Sequence, residues 1–122
     1  MNTFAPIITV PIFEAKTVGA GTSETSRVVQ LQNAQANGFF SIQLTMTGDG
    51  SLALVYEVTV DGTNWLTPTG ATSLETAFLK TSGPGGDGKD IVAFAPELAT
   101  AIRFKATAAG DSLVLTATLA FQ

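Results

Sequence analysis

The sequence predicts an all-β protein: an antiparallel two-sheet β-sandwich of jelly-roll type, with about seven or eight strands and an extended N-terminal arm. Three observations predict it. Apolar and polar residues alternate over several stretches, the period-two signature of a half-buried strand. Turns rich in Gly, Asp and Asn divide those stretches at intervals of about 10 residues. No segment reads as a helix able to cross between parallel strands, which excludes a parallel α/β sheet.

The chain divides in this reading into an arm with its loop, residues 1–24, and a sandwich, residues 25–122. From Ile7 to Ala15 the apolar residues are β-branched or aromatic, and Pro11 withholds a ladder donor, which confines the segment to a sheet edge or an arm. Phe4, Ile7, Ile8, Val10, Ile12 and Phe13 are its candidate assembly residues, placed to contact a neighbouring copy. Gly19 to Ser26 reads as a loop by composition, and Ser26 to Gln32 as a short strand. Asn33 to Gly38 turns the chain.

From Phe39 to Thr47, Phe40, Ile42, Leu44 and Met46 alternate with polar residues, giving a strand with one apolar face. Gly48-Asp49-Gly50 predicts a hairpin to the next strand, where Leu52, Leu54, Tyr56, Val58 and Val60 share a face. That strand runs into Asp61-Gly62 and ends on the single tryptophan, Trp65. Residues 66–90 are less regular: Leu74 to Lys80 fits a short strand or a helical turn, and Ser82 to Asp90 a glycine-rich loop. A strand from Ile91 to Ala95 follows, and after Pro96 another from Thr100 to Thr107, with Ile102, Phe104 and Ala106 facing in. A turn at Ala109-Gly110-Asp111 leads to the last strand, where Leu113, Leu115, Ala117, Leu119 and Phe121 face in.

Composition narrows the function. The 122 residues are one domain's worth. With neither cysteine nor histidine, the chain lacks the residues of disulfides, thiolate nucleophiles, zinc hydrolases and the usual triads. A non-enzymatic protein without cofactor is the expectation. A net charge of −4, with six scattered Lys and Arg, argues against nucleic acid; Arg103 and Lys105, on one strand face, read as solvated side chains. Residues 1–16 lack a basic leader and are broken by Pro6 and Pro11, and no later apolar run approaches the ~18 residues of a membrane helix. A soluble product of the cytoplasm is expected. Charged residues make up 13% of the chain, about half the usual share, so Thr, Ser, Asn, Gln and Gly are expected to supply polar surface and other copies of the chain to cover part of the rest.

Candidate sites are few. Asp61, Asn64 and Trp65 have two readings: a capped turn whose tryptophan covers the end of the core, or a sugar-stacking tryptophan flanked by hydroxyl-binding residues. Asp87 and Asp90, with Asp111, supply carboxylates without the spacing of a calcium loop, and a solvated loop is the simpler reading. The glycines there lack the helix and Lys-Ser or Lys-Thr of a phosphate cradle. Glu57 is either solvated or, under another subunit, paired with Arg27, Arg103 or Lys105. No two carboxylates are predictably close enough for glycosidase chemistry.

Tyr56 to Trp65, YEVTVDGTNW, resembles a strand-and-turn segment of small β-sandwich structural proteins of tailed bacteriophages and prophages. Phe94 to Lys105, FAPELATAIRFK, is similar to a partner segment in the same proteins. With the last strand, the likeness covers roughly half the chain. It implies a virion structural protein, a capsid-decorating or head-stabilising one first and a tail or head-to-tail connector second. The partners it implies are other copies, with a trimer favoured, and the major capsid or other virion proteins. The same segments are more weakly similar to discoidin-type carbohydrate-binding modules, but the chain is short and lacks that family's cysteine pair. That likeness implies a glycan partner.

Overall fold

The structure, a computed structural model, describes residues 7–31, 40–70 and 73–122. Phe4 and the turn at Asn33 to Gly38 lie outside them, as does Phe39. The elements are β1 (Ile8–Val18), β2 (Ser23–Thr25), β3 (Val29–Gln30), β4 (Phe40–Gly48), β5 (Ser51–Thr59), β6 (Glu75–Phe78), β7 (Lys89–Phe94), β8 (Ala101–Ala109) and β9 (Leu113–Phe121). All pairings between them are antiparallel.

One sheet runs β1-β9-β4-β7; the other runs β2-β8-β5-β6, with β3 also on β8. With β2 and β3 taken as one interrupted strand, this is the order of a jelly roll. The alternation read from the sequence sets the inner faces. Ile42, Leu44 and Met46 of β4 meet Leu52 and Leu54 of β5, Ile102, Phe104 and Ala106 of β8, and Leu113, Leu115 and Leu119 of β9 in a single core. Each of these side chains is almost wholly removed from water, worth roughly 1.5–3 kcal/mol for a large aliphatic or aromatic group.

Two expectations change. Gly48-Asp49-Gly50 is not the turn of a paired hairpin: β4 and β5 lie in different sheets, β4 pairing β9 and β7, and β5 pairing β8 and β6. Both strands show the same alternation whether they pair or face each other across a core, so the sequence pattern does not separate these cases. The turn after β8 also crosses between sheets, and the two crossings touch, Gly50 N donating to Ser112 O at 3.1 Å. Gly48 has φ +98° there, and a Cβ on it would lie 2.9 Å from Ser112 O, so this position takes glycine on both counts.

The second change concerns the boundary expected at residue 24. Strand β1 pairs β9 from Ile8↔Phe121 to Val18↔Leu113, so it is the edge strand of the first sheet. The ladder slips twice, and Ala15, in the second slip, has φ +48° with its N–H donating to Thr116 Oγ1 at 3.1 Å. The first slip, between Pro11 and Phe13, lets the consecutive residues Ile12 and Phe13 both point inward, where they are 5% and 4% exposed.

Candidate functional site at the open end of the sandwich

The two ends of the sandwich differ. At one, short turns at Gly48–Gly50 and Gly110–Ser112 and the 79–88 loop fold closely over the strands. At the other, the 60–70 and 95–100 segments surround an apolar groove.

That end is sealed from within by aromatic rings. Phe40 stacks on Phe121 at 5.5 Å, Phe94 lies 5.7 Å from Phe40 and 5.4 Å from Tyr56, and it meets Phe104 edge-on at 6.0 Å. These offset and edge contacts are the favourable geometries for quadrupolar rings. Tyr56 donates its hydroxyl to Glu97 Oε1 at 3.0 Å, tying β5 to the 95–100 segment. Burial, and then that carboxylate, push the Tyr56 phenol up to about 12.

Above the rings the chain leaves β5 through a tightly capped loop. Asp61 Oδ1 accepts from Thr59 Oγ1 at 3.0 Å and from the amides of Thr63 and Asn64, each at 2.8 Å; Oδ2 accepts from Asn64 Nδ2 at 2.7 Å. These donors, the two amides first, hold the Asp61 carboxyl far below the usual range. Thr59, 2% exposed, accepts in turn from Gly62 N. The loop closes where Val58 and Leu66 exchange backbone hydrogen bonds at 3.0 Å. Asp61 and Asn64 therefore bind each other and their own loop.

Trp65 does not cover the end of the core. It lies over the outer face of the second sheet, its ring centroid 4.4 Å from Arg103 Cζ. Arg103 stands opposite Glu57 across the β8–β5 ladder and donates from Nε to Glu57 Oε1 at 2.8 Å. Of the partners considered for Glu57, the structure selects Arg103, and Trp65 of the same chain does the covering. An arginine below tryptophan adds cation–π attraction of about 0.5–1 kcal/mol at a half-open site.

Outside this stack lies the groove, about 510 Å³, lined by Val58, Val60, Leu66, Pro68, Leu98 and Glu97 with the Asp61 loop at its rim. Leu98 is 87% exposed, Val60 71% and Leu66 67%. Their clustering at one end is informative where scattered apolar residues would not be. The sequence placed Val60 on the inner face of β5; the strand ends at Thr59, and the loop carries Val60 outward.

The arm residues go to separate places. Ile7 is 68% exposed beside a hollow of about 320 Å³ formed with Phe40, Ser41, Ala93 and Ala120, at this same end. Ile8 and Val10 line a smaller hollow of about 260 Å³ with Val28 and Val29, between β1 and β3. Ile12 and Phe13 belong to the core of their own chain.

Among the described residues no three His, Cys, Asp or Glu side chains converge on a point that could hold a metal. Asp111 instead caps its own turn, its Oδ1 accepting from Ser112 N at 2.8 Å. One carboxylate contact escaped sequence reasoning: Glu75 of β6 meets Asp90 of β7. Alternation marks both as inward-facing only once the neighbours of their strands are known.

No family model matches the sequence, and no curated protein matches it. Among solved structures the chain is similar to the VP2 subviral particle of infectious bursal disease virus, at TM-score 0.61 and 13% identity over 94% of this chain. The Gx strain of that virus gives 0.60 and 11% over the same share. In both comparisons this chain spans about a third of the other's length, 32% and 31%. The SPBc2 prophage-derived protein YomS matches over almost its whole length, 98% of this chain and 97% of that one, at TM-score 0.52 and 8% identity. At identities this low the likeness shows a shared β-sandwich fold alone.

Proposed function

We propose that this chain is a non-enzymatic structural protein of a virion, a capsid-decorating or head-stabilising subunit that assembles with copies of itself through its open end. The exposed rim of Val60, Leu66 and Leu98 around the apolar groove carries the reading. A face of this kind is disfavoured in water unless another surface covers it. Support comes from the fold, since jelly rolls build many viral shells, and from the likeness to VP2 in its subviral particle and to a prophage-derived protein. Copies around a threefold axis would bring several open ends together, which is why a trimer is favoured over a lone subunit. The partners in this reading are other copies and the major capsid or another virion protein; a tail or head-to-tail connector would use the same face.

Nothing in the site favours a glycan. Arg103 occupies a face of the Trp65 ring, and both Asp61 carboxylate oxygens and Asn64 Nδ2 are engaged within the loop.

The test is light scattering over a concentration series, on the wild type and on a Leu66→Asp/Leu98→Asp variant. A wild-type oligomer that the variant dissociates, with the melting temperature held, supports assembly through this end. Equal assembly by both proteins removes the open end as the interface, and a wild type that is monomeric at every concentration and does not bind capsids sinks the reading.

A further inference from the structure

A sandwich has two open sides, where an edge strand of one sheet faces an edge strand of the other. On the β1–β2 side the contact is between opposite charges, Lys16 Nζ lying 3.0 Å from Glu24 Oε1. On the β6–β7 side two acids meet. Glu75 stands opposite Leu54 on β5, and Asp90 opposite Leu44 on β4. Directly opposed residues in a ladder project to the same face, and both leucines are in the core, so both carboxyl groups point between the sheets.

Among the described residues no cation is placed to neutralise them. Strand β4 has no charged residue, and the one on β5, Glu57, is on the outer face with Arg103. On β7, Lys89 neighbours Asp90 in sequence and so projects to the opposite face, exposed. In the 79–88 loop, Lys80 is paired with Asp49 and Asp87 is exposed. Glu75 Oε2 is buried with no hydrogen-bond partner among the described residues. Two ionised carboxylates have no hydrogen to share, whereas one added proton supplies an O–H donor and removes the repulsion.

We propose that Glu75 and Asp90 form a proton-sharing carboxyl pair that latches β6 to β7 while the proton is bound and lets the two edges part when it leaves. Burial first, and then Asp90, raise the Glu75 carboxyl from its ordinary value of 4.5 to about 7. The native state therefore holds more protons than the unfolded chain between those values. Stability from the latch is complete below the ordinary glutamate range and is lost as the pH rises through about 7. Strand β6, four residues long and paired to β5 with a register shift, has only a short, irregular ladder to hold it once the latch is open. Release bares the side of the core and an edge able to accept another strand. The inference is independent of the virion reading.

The test is an NMR titration of the Glu75 carboxyl carbon in the full chain from about pH 4 to about pH 9, with melting temperature followed over the same range. The latch gives a Glu75 midpoint near 7, a wild-type melting temperature that falls through neutral pH, and no such fall in Glu75→Gln. Asp90→Asn should return the Glu75 midpoint toward 4.5, which keeps the test decisive if Glu75→Gln does not fold. A wild-type midpoint in the ordinary glutamate range, or an unchanged pH profile in Glu75→Gln, overturns the proposal.

Discussion

The two ends of this sandwich are made from the same strands and answer to different demands. At the crossing end, backbone meets backbone: Gly48 and Gly50 pack on Ser112 and Asp111, Gly88 donates to Ser82, and Met46 donates to Gly88. There the residues are chosen for absence of bulk. At the open end the apolar side chains of the 60–70 and 95–100 segments face outward, while the rings of Phe40, Phe94, Phe104, Tyr56 and Phe121 close the core beneath them. Because the aromatic layer closes the core, the outer loops can vary without opening it, as loops on a rigid scaffold commonly do.

That comparison orders its own tests. The largest effect belongs to the aromatic layer: Phe104→Ala should cost about 3–5 kcal/mol in chemical denaturation, since the residue is wholly buried. At the crossing end, Gly50→Ala should cost about 1–3 kcal/mol, because its Cβ would press on the Asp111 carbonyl, and it should leave assembly alone. On β1, away from both ends, Ala15→Gly should stabilise by about 0.5–1 kcal/mol: relief of the left-handed backbone outweighs the entropy glycine adds to the unfolded chain. The smallest change in stability, within about 0.5 kcal/mol, is expected for Val60→Asp at the exposed rim, where light scattering rather than melting should register the substitution. If Val60→Asp unfolded the protein, or Gly50→Ala altered its assembly, the division between the ends would fail.

Acid should act on the open end by a different group. The folded Asp61 carboxyl lies below its ordinary 3.8, so the loop's contribution is present above that value and is lost as the pH falls beneath it. The Glu75 latch fails in the opposite direction, so the two groups bracket a stability optimum in mildly acidic solution.

Strand positions and inward faces were legible in the sequence because alternation is local: Phe40 to Met46, Leu52 to Val58 and Leu113 to Phe121 all face as their period requires. Which strands pair was not. Gly48-Asp49-Gly50 has the chemistry of a hairpin turn and makes a crossing, since the choice between sheets is settled by β9 and β8, far along the chain. The Asp61 cap could be read from residue types alone, because Asp and Asn at this spacing bind local amides. The destination of Trp65 could not be, since Arg103 is brought beneath it only by the β5–β8 register. The Glu75–Asp90 contact was hidden for the same reason, joining strands of different sheets.

The pairing of β1 with β9 has a consequence for how the chain is made. Ile8 finds its ladder partner in Phe121, so β1 has none until β9, about a hundred residues further along, has been made. Until then Ile12 and Phe13 have no completed core to enter, and the first sheet lacks the strand that joins β1 to β4. Closure must therefore wait for β9, and is expected over milliseconds to seconds, as for chains dominated by distant pairings. In that interval the bulge and the proline of β1 have a second use: an irregular, donor-poor edge is a poor template for the nascent chains alongside it.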